Sequence, residues 1–284
     1  MPWLRCGADE RAVEPPATSS AARRNRIGLQ LYTVRSEMEQ DVDATLARVA
    51  AIGYTEVEFA GYFDHPAQQI RAMLDRNGLT APAAHVPYDR LTDGWTQVLD
   101  DCAAIGHRYV VIPHLDEAVR NQPDAYARVA EALNGGAETA RAAGIRFAYH
   151  NHQFEFVEEE GRSGFETLLA ECEPSVFFEL DVFWAVIGGQ DPAGLLAEHP
   201  GRFPLIHIKD LVRRPEPRPD QAMVSSEQAQ SVMTDVGAGT IDWARVLRQA
   251  EAAGLEHAFV EHDQPASPLA SIQRSYEFLS GLRY

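Results

Sequence analysis

The feature that most constrains this chain is an alternation. Eight short apolar runs, RIGLQLY, TEVEFAG, TAPAAH, RYVVIPH, RFAYHNH, VFFELD, PLIHIKD and HAFVEHD, recur from Arg26 onward with longer segments between them. Runs of this length, apolar on both faces, read as buried parallel strands. The intervening segments carry helical stripes, such as Val42, Leu46 and Val49, then Tyr126, Val129 and Leu133. Gly53, Gly78, Gly144 and Gly254 each fall just past such a stripe, where a left-handed cap ends a helix. Asp242 precedes Trp243 as an N-cap. Strand–helix units with right-handed crossovers, repeated eight times, can close on themselves and leave no exposed sheet edge. The length of 284 residues suits the roughly 250 that such closure needs. The expected fold is therefore α/β, a single (β/α)8 barrel over residues 26–284. An open doubly wound sheet is the alternative, and the lack of a Gly-x-Gly-x-x-Gly loop after the first run counts against it. Residues 1–25, rich in Pro, Ser, Ala and Arg without periodicity, are expected to form a disordered leader.

Composition narrows the function classes. A formal charge of −17 repels polyphosphate, and no basic stretch offsets it, so no nucleic-acid partner is expected. No run approaches a membrane span and the first residues lack a secretory core, so a cytoplasmic protein without a membrane partner is expected. Cys6, Cys102 and Cys172 are odd in number and far apart, which suits neither a disulfide framework nor a Cys-x-x-Cys metal site. The sequence is silent on self-association, and a homo-oligomer is left open.

Barrel chemistry is built at the carboxyl ends of several strands at once. Seven of the runs end in an ionisable residue, in order Glu58, His85, His114, His150, Asp181, His207 and Glu261, while the first offers Gln30 and Tyr32. A lone histidine is more often structural than functional. A ring of imidazoles and carboxylates at equivalent places is different, because burying them unpartnered costs several kcal/mol each and a cation is their natural partner. Mixed nitrogen and oxygen donors favour Mn²⁺ or Zn²⁺, with Co²⁺, Fe²⁺ or Mg²⁺ as alternatives. Lys209 is the only lysine among 25 basic residues and follows His207 by two positions. An ammonium fits a tight site, orients a carbonyl or hydroxyl oxygen and, unlike guanidinium, can lose its proton when desolvated.

These residues resemble the xylose-isomerase-like TIM barrels, a family that includes sugar phosphate isomerases and epimerases, ketose epimerases, inosose dehydratases and endonuclease IV. The marks are IGLQLYTVR, AHVPY, YHNHQFEF, ELDVFWAVIGGQDP, HIKD, VGAGTIDW and FVEHD, spread from Ile27 to the C-terminus. The resemblance implies one divalent metal ion on Asp181, His207 and Glu261. At the strand-five position this chain has His150 where the common pattern has glutamate, so His150 is carried over as the fourth ligand, with His152 or Glu155 as alternatives. It further implies that Trp184 meets substrate or closes the mouth and that His85 and His114 contact substrate hydroxyls; Glu58 and Lys209, from their places at the strand ends, are expected to contact the sugar or cyclitol too.

The activity so implied is a metal-dependent isomerase or epimerase of a small sugar or sugar phosphate. Glu261 or His152 would abstract a proton beside a carbonyl, Lys209 would steady the oxygen, and a metal-stabilised enediolate would follow. Loss of a β-substituent from the same intermediate, as in a keto-sugar or inosose dehydratase or a keto-glycoside lyase, is the alternative. An endonuclease IV-like phosphodiesterase and a non-catalytic sugar-binding barrel are weaker ones.

Overall fold

A strand's side chains alternate between its two faces, so each of the runs sends every second residue inward. The computed structural model describes residues 27–159, 161–218 and 221–284; the expected leader lies outside them. It contains eight parallel barrel strands: β1 (Ile27–Gln30), β2 (Glu56–Phe59), β3 (Thr80–His85), β4 (Tyr109–Ile112), β5 (Arg146–His150), β6 (Val176–Asp181), β7 (Leu205–Ile208) and β8 (His257–Val260). They pair in chain order, and β8 pairs back onto β1 to close the barrel, which rules out an open sheet.

The principal helices follow the strands: α1 (Val42–Ile52), α2 (Ala67–Asn77), α3 (Trp95–Ile105), α4 (Ala125–Ala142), α5 (Gly164–Glu171), α6 (Pro192–Glu198), α7 (Trp243–Ala252) and α8 (Pro268–Gly281). Their expected ends are present. Gly53, Gly78, Gly144 and Gly254 all take positive φ, and Asp242 accepts the Arg245 amide at 3.0 Å. The helices bury their stripes against the outer barrel face, in a core that runs from Leu46 and Val49 through Leu133 to Leu247 and Ile272.

Inside the barrel the alternation produces two layers. Ala83, Ala148, Phe177, Leu205 and Phe259 belong to an apolar plug, and His85, His150, Glu179, His207 and Glu261 stand two residues further along the same strands. The plug fills the barrel interior before the polar layer, and the cavity that the polar layer faces is lined by residues at the carboxyl ends of the strands.

Two of the sequence motifs turn out to be one device. Asp210 of HIKD lies fully buried, and its Oδ2 accepts the Gly237 amide at 3.0 Å and the Trp243 indole N–H at 2.9 Å. Its Oδ1 accepts the amides of Leu211 at 2.9 Å and Ile241 at 3.3 Å. The carboxylate therefore pins the VGAGTIDW loop just past the carboxyl end of β7. Gly239 is required there, since a Cβ would stand 2.1 Å from Asp210 Oδ1. Asp210→Ala strands several buried donors at once and is expected to cost about 3 kcal/mol. Thermal denaturation should show this as a fall in Tm of roughly 6–12 °C.

Candidate active site

Strand register delivers the site in pairs. Gln30 is level with Glu58, His150 with Glu179, and Asp181 with His207. The first pair is a hydrogen bond, Gln30 Nε2 donating to Glu58 Oε2 at 2.8 Å. The same oxygen accepts from His207 Nε2 at 2.7 Å. In the second pair His150 Nδ1 lies 3.1 Å from Glu179 Oε2, which also meets His85 Nε2 at 2.7 Å. Asp181 ends β6 and caps the helix Val182–Ile187 that follows: its Oδ1 accepts the Trp184 amide at 2.8 Å, which fixes the carboxylate and leaves Oδ2 facing the other strand ends.

Asp181, His207 and Glu261 offer donor atoms that all lie within 4.8 Å of one another. His207 Nδ1 is 2.7 Å from Glu261 Oε2 and 3.8 Å from Asp181 Oδ2, and His150 Nε2 is 3.6 Å from Asp181 Oδ2. Asp181 Oδ2, Glu261 Oε2 and His207 Nδ1 are buried, yet none has a well-aligned hydrogen bond, short as the spacing is. Atoms that share one cation at about 2.0–2.2 Å stand roughly 3.0–3.6 Å apart. The donor set lies to either side of that range, at 2.7, 3.8 and 3.6 Å, so small side-chain shifts would bring Asp181, His207 and Glu261 onto a divalent cation, with His150 reaching Asp181 from the side. His150 belongs equally to a second group with His85, Glu179 and His207.

His207 is itself held well above the ordinary imidazole value, its burial outweighed by Glu179, Glu261 and Glu58, and the ammonium of Lys209 stands beside the same group. It stands 3.0 Å from Asp181 Oδ2, 2.8 Å from Glu261 Oε2 and 3.0 Å from Asp263 Oδ1. Burial disfavours its charge, but Asp181, Asp263 and Glu261 outweigh burial and hold its pKa well above the usual lysine value. The proton loss that desolvation alone would bring is therefore reversed by its neighbours.

The other groups divide by environment. Burial opposes the charge of Glu179 and of Glu261; His207, with His150 and His85, overcomes it at Glu179, and Lys209 with His207 overcomes it at Glu261, so both pKa values fall well below the carboxylate range. Burial raises Asp181 to about 6 despite Lys209 and His207. His150 is pushed down to about 3, mainly by burial, and burial also drives His152 far below the ordinary imidazole value. Both rings are neutral at pH 7.

A cavity of about 540 Å³ opens above this layer. His85, His114, His150, His152, Trp184, Lys209 and Glu261 line it, joined by Tyr32 and Asp263. His114 and His152 come from β4 and β5, across the barrel from Glu261 and Asp263 after β8. His114 sits at the exposed rim with its ring edge-on to His152. Trp184 is nearly closed off, packed against Phe183 and His152 at ring distances of 4.9 Å and 5.1 Å.

Two expected positions fall elsewhere. Glu58 has no exposed surface and lies outside the cavity lining, beneath His85 and His207. Glu155 is tied down away from the strand ends, accepting from Tyr149 Oη and the His152 amide at 2.6 Å each. Conversely, Glu179 and Asp263 escaped the strand-end reading although both sit at the centre. The signal was present for Glu179, which lies two residues before Asp181 on β6 and so on the same inward face; Asp263 lies in the loop after β8, where strand alternation gives no such signal.

An eight-stranded barrel with an imidazole and carboxylate cluster at its strand ends defines the class. More narrowly, the chain belongs to the xylose isomerase-like TIM barrel family, whose model matches residues 46–282. It is 22% identical over 241 residues to an inosose dehydratase of Geobacillus thermodenitrificans, covering 76% of this chain and 79% of that protein. A crystal structure of a sugar phosphate isomerase/epimerase from Parabacteroides distasonis superposes with a TM-score of 0.74 at 26% identity, over 94% of this chain and 96% of the other. The IolI protein, determined with a bound zinc atom, shares the fold at a TM-score of 0.67 and 16% identity, over 89% of this chain and 95% of the other. No helix among the described residues is long and apolar enough to cross a membrane.

Glu155 offers a test of the scaffold. Burial raises its carboxyl to about 8 against the Tyr149 and His152 hydrogen bonds. Between the unfolded value of about 4.5 and that value the folded state holds a proton that the unfolded state has lost, so stability falls as pH rises through this window. Glu155→Gln, which cannot ionise, is expected to flatten that decline in thermal midpoints measured from pH 4.5 to 8. A parallel pH profile in both proteins would contradict this.

Proposed function

We propose that this barrel is a divalent-metal-dependent isomerase or epimerase of a small sugar, cyclitol or sugar phosphate, acting by proton abstraction beside a carbonyl. The observation that carries the reading is the convergence of Asp181 Oδ2, His207 Nδ1 and Glu261 Oε2 under a polar cavity, none of them spent on a well-aligned hydrogen bond. His150, Asp181, His207 and Glu261 would hold the cation, which when bound supplies Lewis acidity that polarises a carbonyl and acidifies the neighbouring C–H. Zinc in the IolI structure supports such an occupant.

The remaining work belongs to side chains of this chain. Glu261, kept ionised, takes the proton. Lys209, kept as an ammonium beside it, stabilises the negative charge that develops on the substrate oxygen. His152, a neutral imidazole on the facing wall, would exchange a proton on the other side of the substrate. Trp184 and His114 shape the cavity around the sugar, and His85 offers it a polar edge.

A second reading, elimination from a keto-sugar or inosose, is favoured by one observation. Proton exchange across both faces of one carbon is best served by a carboxylate on each, and His150 stands where strand five would supply the second. Similarity to inosose dehydratases points the same way.

Metal-replete protein is expected to carry close to one transition-metal ion per chain, measured by elemental analysis after desalting. Asp181→Ala and His207→Ala should each lose it; full retention in both removes the site. A screen of keto-sugars and keto-inositols in deuterated water should show deuterium entering beside the carbonyl, slowed about 10²-fold or more in Glu261→Gln. An unsaturated ketone absorbing in the ultraviolet would identify elimination, whereas a rearranged or epimerised sugar would identify the first reading.

A further inference from the structure

Glu179 has no part in the chemistry just described, yet it occupies the middle of the polar layer. Its surface is fully buried and its Oε2 lies 2.7 Å from His85 Nε2, 3.1 Å from His150 Nδ1 and 3.1 Å from His207 Nε2. A ligand-type position would leave carboxylate oxygens facing the cavity. This one faces three ring nitrogens from β3, β5 and β7 instead, and Glu179 is not among the residues that line the cavity.

The consequence follows from what each group can donate. A carboxylate accepts only, so a ring nitrogen bonded to it must carry a hydrogen. His207 Nε2 already donates to Glu58 Oε2 at 2.7 Å. His85 and His150 have no comparable second anchor, and their aligned hydrogen bonds run to Glu179 Oε2. For His150 the bonded atom is Nδ1. A neutral ring with its hydrogen on Nδ1 presents a bare Nε2, and that atom is the one 3.6 Å from Asp181 Oδ2. Rotated or in the other tautomer, the same ring would turn an N–H toward the cation position and could not act as a ligand.

We propose that Glu179 is a positioning residue that fixes the ring orientation and tautomer of His150, so that the lone pair of Nε2 faces the candidate metal position. Carboxylates that hold the far nitrogen of a metal-bound histidine commonly contribute 10–100-fold to metal affinity. The tautomer part stands on this chain's own contacts, and only the affinity part rests on the metal reading given above.

The test uses metal-free full-length protein labelled with ¹⁵N-histidine, with long-range ¹⁵N–¹H correlations reporting the tautomer of each ring and His150→Asn assigning the signal. The wild type is expected to show His150 with its hydrogen on Nδ1. Glu179→Leu removes the acceptor at similar volume and should convert His150 to the Nε2–H form or a mixture; Glu179→Gln keeps an acceptor oxygen and should retain more of the Nδ1–H form. A packing role alone would make the two substitutions equivalent. In parallel, competition with a chelator for Co²⁺ should show affinity about 10–100-fold lower in Glu179→Leu, with a smaller loss in Glu179→Gln. Circular dichroism monitors folding of each variant. An Nε2–H tautomer in the wild type, or equal behaviour of the Leu and Gln variants, overturns the proposal. If wild-type protein binds no Co²⁺, the metal reading fails by itself and the tautomer result still decides the role of Glu179.

Discussion

Everything at the open end of this barrel is governed by the cost of burying negative charge. Glu58, Glu179, Asp181, Glu261 and Asp263 stand together with less than a tenth of each exposed. Isolated, any one of them would take up a proton rather than remain charged. Here His207, with His150 and His85, keeps Glu179 well below the carboxylate range and Lys209 with His207 does so for Glu261, whereas burial raises Glu58 and lifts Asp181 to about 6. A group left short of positive charge, with its lone pairs turned to one point, is what a divalent cation relieves. The same imbalance explains why the cluster is arranged in pairs across neighbouring strands, where register holds opposite partners in contact without loop flexibility.

The architecture was legible because closure of a barrel depends on a period and a count, both written in the chain. Helix ends were legible for the same local reason: Gly53, Gly78, Gly144 and Gly254 adopt the positive φ that other residues avoid. The candidate site was legible only in part. Taking one ionisable residue per strand end found Asp181, His207 and Glu261 but passed over Glu179, since the inward face recurs every second residue and two layers of it are polar on β6, and over Asp263, which lies in the loop after β8. Glu58 shows the converse. It ends its run as the others do, but barrel strands are staggered, so equal sequence offsets reach different depths. At the level of β2 that offset falls beneath the cavity.

Motifs that look separate along the chain can be two halves of one contact. HIKD and VGAGTIDW are joined by Asp210, whose oxygens gather amides and an indole from the second motif. The same four-residue stretch therefore carries His207 and Lys209 into the site and anchors the following loop. Its alternation assigns the work: His207 and Lys209 face the barrel interior, and Asp210, buried as fully as they are, serves the packing that keeps β7 at its height. A change at Asp210 acts on the site through position, without touching it.

Lys209 draws these constraints together. Arginine supplies every other basic side chain of this protein, and its charge would serve equally well if charge were all that mattered. The space among Asp181, Glu261 and Asp263 is a point, with three oxygens at 3.0, 2.8 and 3.0 Å from one nitrogen. A planar guanidinium spreads its donors over a fork and pairs best with one carboxylate edge, whereas an ammonium directs three hydrogens from a single centre. Three carboxylate oxygens paired as ions around one nitrogen suit a compact ammonium. That same compactness leaves the ring of His207 room to approach Glu261 at 2.7 Å, and the ammonium and a cation would share the oxygens Asp181 Oδ2 and Glu261 Oε2.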